Sequence, residues 1–177
     1  MNSITYPIAI IFFLFWSCAA SADQSLTTEE RIVALTLLGE ARGEKEVGLY
    51  GVACVIQLRS QKKAWYGSTK TPAQVCRVPW QFSIWNAGGG KVKKESELQY
   101  LWKENCIIVN YAKLLAKCIC ANQKLNHEFV ANADHYYSTD VPSPYWTYKK
   151  VIKNNKTIKV SIKPVAKIGK HVFYKLR

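Results

Sequence analysis

The sequence predicts an α+β domain, with helices first and a small antiparallel sheet last. Three observations predict it. Apolar residues recur at helical spacing from Ile32 to about Ile119. Beyond Phe129 the chain turns to short alternating runs punctuated by Pro142, Pro144 and Gly169. Helices and strands are therefore segregated along the chain instead of alternating, which is the α+β pattern.

Thr27-Thr28-Glu29-Glu30 fits a capping box, with Thr27 as N-cap and Glu30 three residues on. Ile32, Val33, Leu35, Leu37 and Leu38 supply the apolar side of the helix it opens. A second helix is predicted from about Glu46, with Val47, Gly51, Cys54, Val55 and Leu58 on one face. Gly51 and Ala53 are small enough for a neighbouring helix to approach. Gln61–Lys70 reads as a basic surface loop, and Thr71-Pro72 as the start of a short helix ending near Cys76. An aromatic and amide-rich stretch, Pro79-Trp80-Gln81-Phe82-Ser83-Ile84-Trp85-Asn86, precedes a break at Gly88-Gly89-Gly90. Glu95 to Ala121 is the longest helical pattern, with Leu98, Leu101, Trp102, Ile108, Ala112, Leu115 and Ile119 as a core stripe. Ala133–Ser138 suits a short strand. Val151–Val160 reads as two strands turning at Asn154-Asn155, and Val165–Tyr174 as a second hairpin turning at Ile168-Gly169-Lys170.

The chain has 177 residues, enough for one domain with a real core, and a formal net charge of +13. That charge calls for an anionic partner: nucleic acid, an acidic membrane surface or an anionic wall polymer. Ile8–Trp16 is an apolar run too short to span a bilayer, followed by Ala20-Ser21-Ala22. This reads as a secretory signal peptide over residues 1–22, cut before Asp23, with residues 23–177 as the mature domain. Cys18 follows Phe15 and Trp16, poor neighbours for a lipidation site. Export disfavours nucleic acid as partner and permits disulfides among Cys54, Cys76, Cys106, Cys118 and Cys120, in a pattern that spacing does not select. The histidines, at 127, 135 and 171, are scattered, so neither a zinc site nor another cofactor is expected.

The focus of the chain is Gly39-Glu40-Ala41-Arg42-Gly43-Glu44, between the first two helices. Glu40 and Glu44 are four residues apart and would share a face if the helix ran through both, although Gly43 is the usual residue just past a helix end. A carboxylate carried at the end of a buried helix into a cleft can act as a proton donor. The plainer reading is a solvated helix end with Arg42 balancing the glutamates.

Taken with Trp80–Asn86, His135–Tyr137 and Ile168-Gly169-Lys170-His171-Val172-Phe173-Tyr174, this motif resembles the SleB-type cell wall hydrolases, the family of spore cortex-lytic enzymes. The likeness runs from about Glu29 to Tyr174. It implies a lysozyme-like α+β domain that cleaves peptidoglycan glycan strands, in the manner of a lytic transglycosylase that leaves 1,6-anhydro ends. The family's essential glutamate matches Glu40, and Glu44 matches a second acid of open role. One departure is Ile84, where relatives often carry a cysteine able to pair with the one matching Cys76.

Elementary chemistry agrees with that implication. Glycoside cleavage needs a proton donor for the leaving oxygen. Hydrolysis needs a second carboxylate across the cleft, whereas a transglycosylase uses the sugar's own 6-hydroxyl and needs one. Away from the motif, only Asp134 and Asp140 flank an aromatic-rich loop. In a glycan cleft Gln81, Ser83 and Asn86 can bond hydroxyl and acetamido groups. Trp85 or Trp146 can face a sugar ring, and Tyr137 or His135 can donate beside Glu40. Trp80, Phe82 and Tyr136 read as core, and His171 and Gly169 as structural. The basic face from Lys149 to Lys170 is a solvated surface that also suits anionic peptide stems and wall polymers. Competing readings are an N-acetylmuramoyl-L-alanine amidase, which would want a zinc site, and a non-catalytic wall-binding protein of the same fold.

Overall fold

The computed structural model describes residues 25–62, 70–153 and 156–176. The signal peptide with its cleavage site, Cys18, most of the 61–70 loop and the Asn154-Asn155 turn lie outside the described residues. Helix α1, Thr28–Ala41, is the centre of the molecule. Thr27 and Glu30 form the expected capping box: Glu30 N donates to Thr27 Oγ1 at 3.2 Å, and Thr27 N donates to Glu30 Oε2 at 2.7 Å. Every residue from Ile32 to Leu38 is buried, so this helix is enclosed on all sides and not amphipathic. The polar residue in that run, Thr36, is satisfied: it donates to Ile32 O at 2.7 Å and accepts Trp85 Nε1 at 2.8 Å.

A 3₁₀ turn, Arg42–Glu44, leads into α2, Lys45–Gln61, and a capped five-residue helix α3 spans Pro72–Cys76. The predicted continuous helix over 95–121 is two elements. A 3₁₀ helix covers Glu95–Lys103, and α4 covers Cys106–Cys120. The break falls where Asn105 leaves the helical conformation and its side chain accepts from Ile107 N at 2.9 Å. An N-cap thus competes successfully with helix continuation. α1 packs against α2, α3 and α4, and this helical body buries the main core.

The β part is two sheets, not one. Strands β1 (His135–Ser138), β5 (His171–Tyr174) and β4 (Ala166–Ile168) form an antiparallel sheet in the order β1-β5-β4. His135 pairs with Tyr174 and Ser138 with His171. Strands β2 (Tyr148–Lys153) and β3 (Lys156–Ser161) form a separate ribbon. Its Ile158 is 40% exposed, so the apolar face expected along β3 is covered only in part. The neighbour that Gly51 admits is the sheet and not a helix: a Cβ there would lie 2.9 Å from Phe173 Cζ and 3.0 Å from Ile168 Cδ1. Central strand β5 is buried along its whole length. No disulfide joins Cys54, Cys76, Cys106, Cys118 or Cys120. Burial pushes the Cys54 and Cys76 thiols up to about 12, as suits inert core residues.

Candidate active site

Glu40 lies in the last turn of α1, where the helix reaches a cleft of about 740 Å³ between the helical body and the sheet. Three donors converge on its carboxylate. Oε1 accepts from Ser83 Oγ at 2.9 Å and from Ile84 N at 3.0 Å, and Oε2 accepts from Tyr136 Oη at 2.9 Å. The first two come from a 3₁₀ turn, Ser83–Trp85, which the sequence anchors twice. Trp85 is 1% exposed and donates its indole N–H to Thr36 of α1. Gly39 leaves room for Ile84, since a Cβ there would sit 2.7 Å from Ile84 Cβ. A deep anchor and a missing side chain thus press an amide and a hydroxyl onto Glu40.

Tyr136 projects from β1 with its ring edge-on to His171 at 5.1 Å and tilted to Phe173 at 5.7 Å. Burial first, and then the charge and hydrogen bond of Glu40, hold its phenol well above the ordinary value, so it remains a donor. Among the described residues lining the cleft, Glu40 is the single carboxylate. Asp134 is fully buried and accepts from His135 Nδ1 at 2.8 Å and from Leu176 N at 2.9 Å. Asp140 is paired with Lys170 Nζ at 2.9 Å.

Glu44 does not share a face with Glu40. Helix α1 ends at Ala41 (φ −137°, ψ 9°), and the chain swings Glu44 to the β4–β5 turn. There Oε2 accepts from Lys170 N at 3.1 Å and packs against Gly169, whose φ of +53° suits glycine. Arg42 pairs with Glu104 at 3.0 Å instead of balancing the motif's glutamates.

Of the other expected site residues, Gln81, Ser83, Asn86, His135, Tyr137 and Trp146 all line the cleft. Trp85 does not: it is core, 1% exposed, with the Arg77 guanidinium 5.5 Å from its ring centre. Neither Tyr137 nor His135 is the donor beside Glu40. Tyr137 Oη bonds Ser143 Oγ at 3.1 Å, His135 is held by Asp134, and successive strand residues alternate in direction, so Tyr136 reaches the carboxylate. His135, Tyr137 and Trp146 form an aromatic wall, with Trp146 4.9 Å from the His135 ring and 6.0 Å from Tyr137.

Two residues read as core belong to the cleft, Tyr136 and Trp80, whereas Phe82 is core as expected. Trp80 is 68% exposed and holds a φ of +66°, a conformation costly for a bulky side chain. Asn86 steadies it by accepting Trp80 N through Oδ1 at 3.3 Å. Across the mouth Tyr145 is 86% exposed. Arg59, whose only sequence signal is a basic residue near the end of α2, is buried at the cleft floor. It donates Nε to Asp134 O at 2.8 Å and Nη1 to Gln81 Oε1 at 3.2 Å. His171 also lines the cleft. It is 4% exposed, and its Nδ1 has no hydrogen-bond partner among the described residues.

No group of three or more His, Cys, Asp or Glu among the described residues is arranged to hold a metal ion. The arrangement is that of one carboxylate, fixed by three donors, at the centre of a cleft walled by aromatic rings and side-chain amides. No curated protein and no solved structure matches the chain. The sequence profile of one family, described as cell wall hydrolase, matches residues 43–174. The match takes in Glu44 and most of the cleft, and begins just after Glu40. Because it covers most of the sequence, the chain belongs to the cell wall hydrolase family.

Proposed function

We propose that the protein cleaves the bond between N-acetylmuramic acid and N-acetylglucosamine in peptidoglycan, as a lytic transglycosylase with Glu40 as acid and then base. The observation that carries this reading is Glu40 itself: a lone cleft carboxylate with donors on both oxygens. Protonated Glu40 gives its proton to the glycosidic oxygen as the bond to the muramyl C1 breaks. The resulting carboxylate is the species that Ser83 Oγ, Ile84 N and Tyr136 Oη stabilise, so these contacts strengthen along the reaction. Glu40 then takes the proton of the muramyl 6-hydroxyl as that oxygen bonds C1. This closes the 1,6-anhydro ring and returns the proton to Glu40.

No second carboxylate is needed, and the described lining offers none for a retaining or inverting hydrolysis. Glu44 acts as the tie of the β4–β5 turn and takes no proton from substrate. Gln81, Asn86 and the Trp146 wall bind the glycan, and Trp80 and Tyr145 present flat faces at the mouth, where pyranose rings stack. The substrate lies outside the cytoplasm, which agrees with the export signal read at residues 1–22. No helix among the described residues is long and apolar enough to cross a membrane.

The test is a digest of purified peptidoglycan with the mature chain and with Glu40→Gln, read by mass spectrometry. Anhydro-muramyl ends from the wild type that vanish with the variant are the expected result. Reducing muramic acid ends would replace this mechanism with hydrolysis. Released stem peptides would mean an amidase, and binding without products a wall-binding protein.

A further inference from the structure

The ribbon β2–β3 differs in chemistry from the rest of the chain. No Asp or Glu occurs after Asp140, while nine lysines and Arg177 do. The strand register sets Lys150 opposite Lys159 and Lys153 opposite Lys156. Residues directly opposite in an antiparallel pair share a face, and like charges there are destabilising. No carboxylate among the described residues pairs with any of these four lysines. The intramolecular contact seen is Lys159 Nζ, 5.5 Å from the centre of the Tyr148 ring. A two-stranded ribbon is marginal by itself. The two opposed lysine pairs, one on each face of the ribbon, have no carboxylate partner among the described residues.

Its position says what supplies the counter-charge. Tyr145 and Trp146 line the cleft, β2 begins two residues on at Tyr148, and Ile162 N just after β3 donates to Thr147 O at 2.8 Å, so the base of the ribbon joins the cleft wall. We infer that the β2–β3 ribbon is a docking arm for the carboxylates of the stem peptides on the glycan strand, so that the enzyme engages stem-bearing strands better than bare ones. This rests on a peptidoglycan strand occupying the cleft. The strand delivers its own carboxylates along the cleft rim. The ribbon meets them with lysines alone, flexible point charges that fit acids at varying positions better than the rigid fork of arginine does.

The experiment compares the full mature chain with a variant carrying Lys150→Gln, Lys153→Gln, Lys156→Gln and Lys159→Gln. Both are placed in a Glu40→Gln background so that binding is read apart from cleavage. Ligands are sacculi with stems, sacculi freed of phosphodiester polymers by acid extraction, and glycan strands stripped of stems by an amidase. Exposed ion pairs are individually weak, so the four changes together should weaken binding to both stem-bearing ligands roughly tenfold at low salt. The difference should fade near about 1 M salt, where screening is nearly complete. Binding to stripped strands should be unchanged, and thermal stability unchanged or higher, since like charges have been removed.

Equal binding of the two proteins to stem-bearing sacculi overturns the proposal. So does an equal loss on stripped strands, which would mean contact with the sugars. A loss confined to unextracted sacculi overturns it in favour of a phosphodiester polymer as occupant. Cleavage products are recorded separately with Glu40 intact, so failure of the glycan-cleaving reading shows in that arm and not in the binding comparison.

Discussion

Replacing Tyr136 by Phe removes one oxygen and tests how the cleft uses Glu40. The ring contacts with His171 and Phe173 remain, so the fold has little reason to change. What is lost is the 2.9 Å hydrogen bond to Glu40 Oε2. A hydrogen bond to a charged group contributes about 1.5–3 kcal/mol and one between neutral groups about 0.5–1.5. If Glu40 begins protonated and ends as carboxylate, the bond gains about 1–1.5 kcal/mol along the reaction. The loss should therefore lower kcat about five- to twelvefold, with KM nearly constant. Ser83→Ala should act in the same direction through Oε1, because that donor is also a side chain. Turnover of purified glycan fragments, measured beside thermal unfolding, separates this from loss of fold. A Tyr136→Phe enzyme with kcat within twofold of wild type would refute the claim that these donors stabilise the carboxylate formed during bond cleavage.

Other expectations follow from the same geometry. Glu44→Gln keeps an oxygen for Lys170 N and should retain kcat within about threefold, whereas loss of a true acid or base typically costs 10²–10⁴-fold. A loss of that size in steady-state kinetics would make Glu44 catalytic. Gly39→Ala should push Ile84 and the Ser83–Trp85 turn away from Glu40, costing about 1–3 kcal/mol in denaturant unfolding and more in turnover. A second change, Ile84→Gly, which removes the Ile84 Cβ as well as the outer atoms a Cβ at 39 would meet, should restore part of both. Burial lowers the His171 and His127 values below that of a free imidazole; around His171 the charges of Glu44, Glu40 and Asp140 oppose the shift, and around His127 Lys124 and Lys62 add to it. The unfolded chain then binds protons first, so stability is full above about pH 6.5 and falls as pH drops through that value. Urea midpoints from about pH 8 to 5 should show the fall, and His171→Asn should flatten it; a level profile for wild type would refute the assignment.

Much of the fold is legible in the sequence where local rules act alone. Thr27 announces its helix by a capping box that forms as read, Thr71-Pro72 starts a short helix as read and adds a capping box with Gln74, and the hairpin registers follow from alternation and turn residues. The break at Asn105 was also written locally, but the apolar stripe across it gave the stronger helical signal. Side-chain placement around the cleft was less legible. Trp80 and Trp85 lie five residues apart in one aromatic stretch, and composition cannot rank them. Trp85 goes inside because Thr36, buried in α1, needs the indole as a partner, and Trp80 stays outside because Asn86 holds its backbone in a left-handed turn. The first is a tertiary contact and the second a hydrogen bond to a side chain six residues on, and neither follows from the pattern of apolar and polar residues. Arg59 is the same case: nothing local marks it as the residue that ties Asp134 to Gln81.

The two glutamates of one short motif show why spacing was a poor guide to role. Four residues on a continuous helix would have put both carboxylates in one cleft, close enough to perturb each other. The helix stops at Ala41, and that local change of backbone gives them different partners: Glu40 meets the 83–85 turn and Tyr136, and Glu44 meets the β4–β5 turn. Glu44 accordingly anchors Lys170, the residue before His171, and so fixes where β5 enters the cleft. The motif joins the two halves of the domain at the point where the chemistry occurs. On this reading the effect of Glu44→Ala should be seen in the sheet: increased amide exchange along β4 and β5, and reduced turnover only to the extent that Tyr136, which pairs with Phe173 of β5, loses its hold on Glu40.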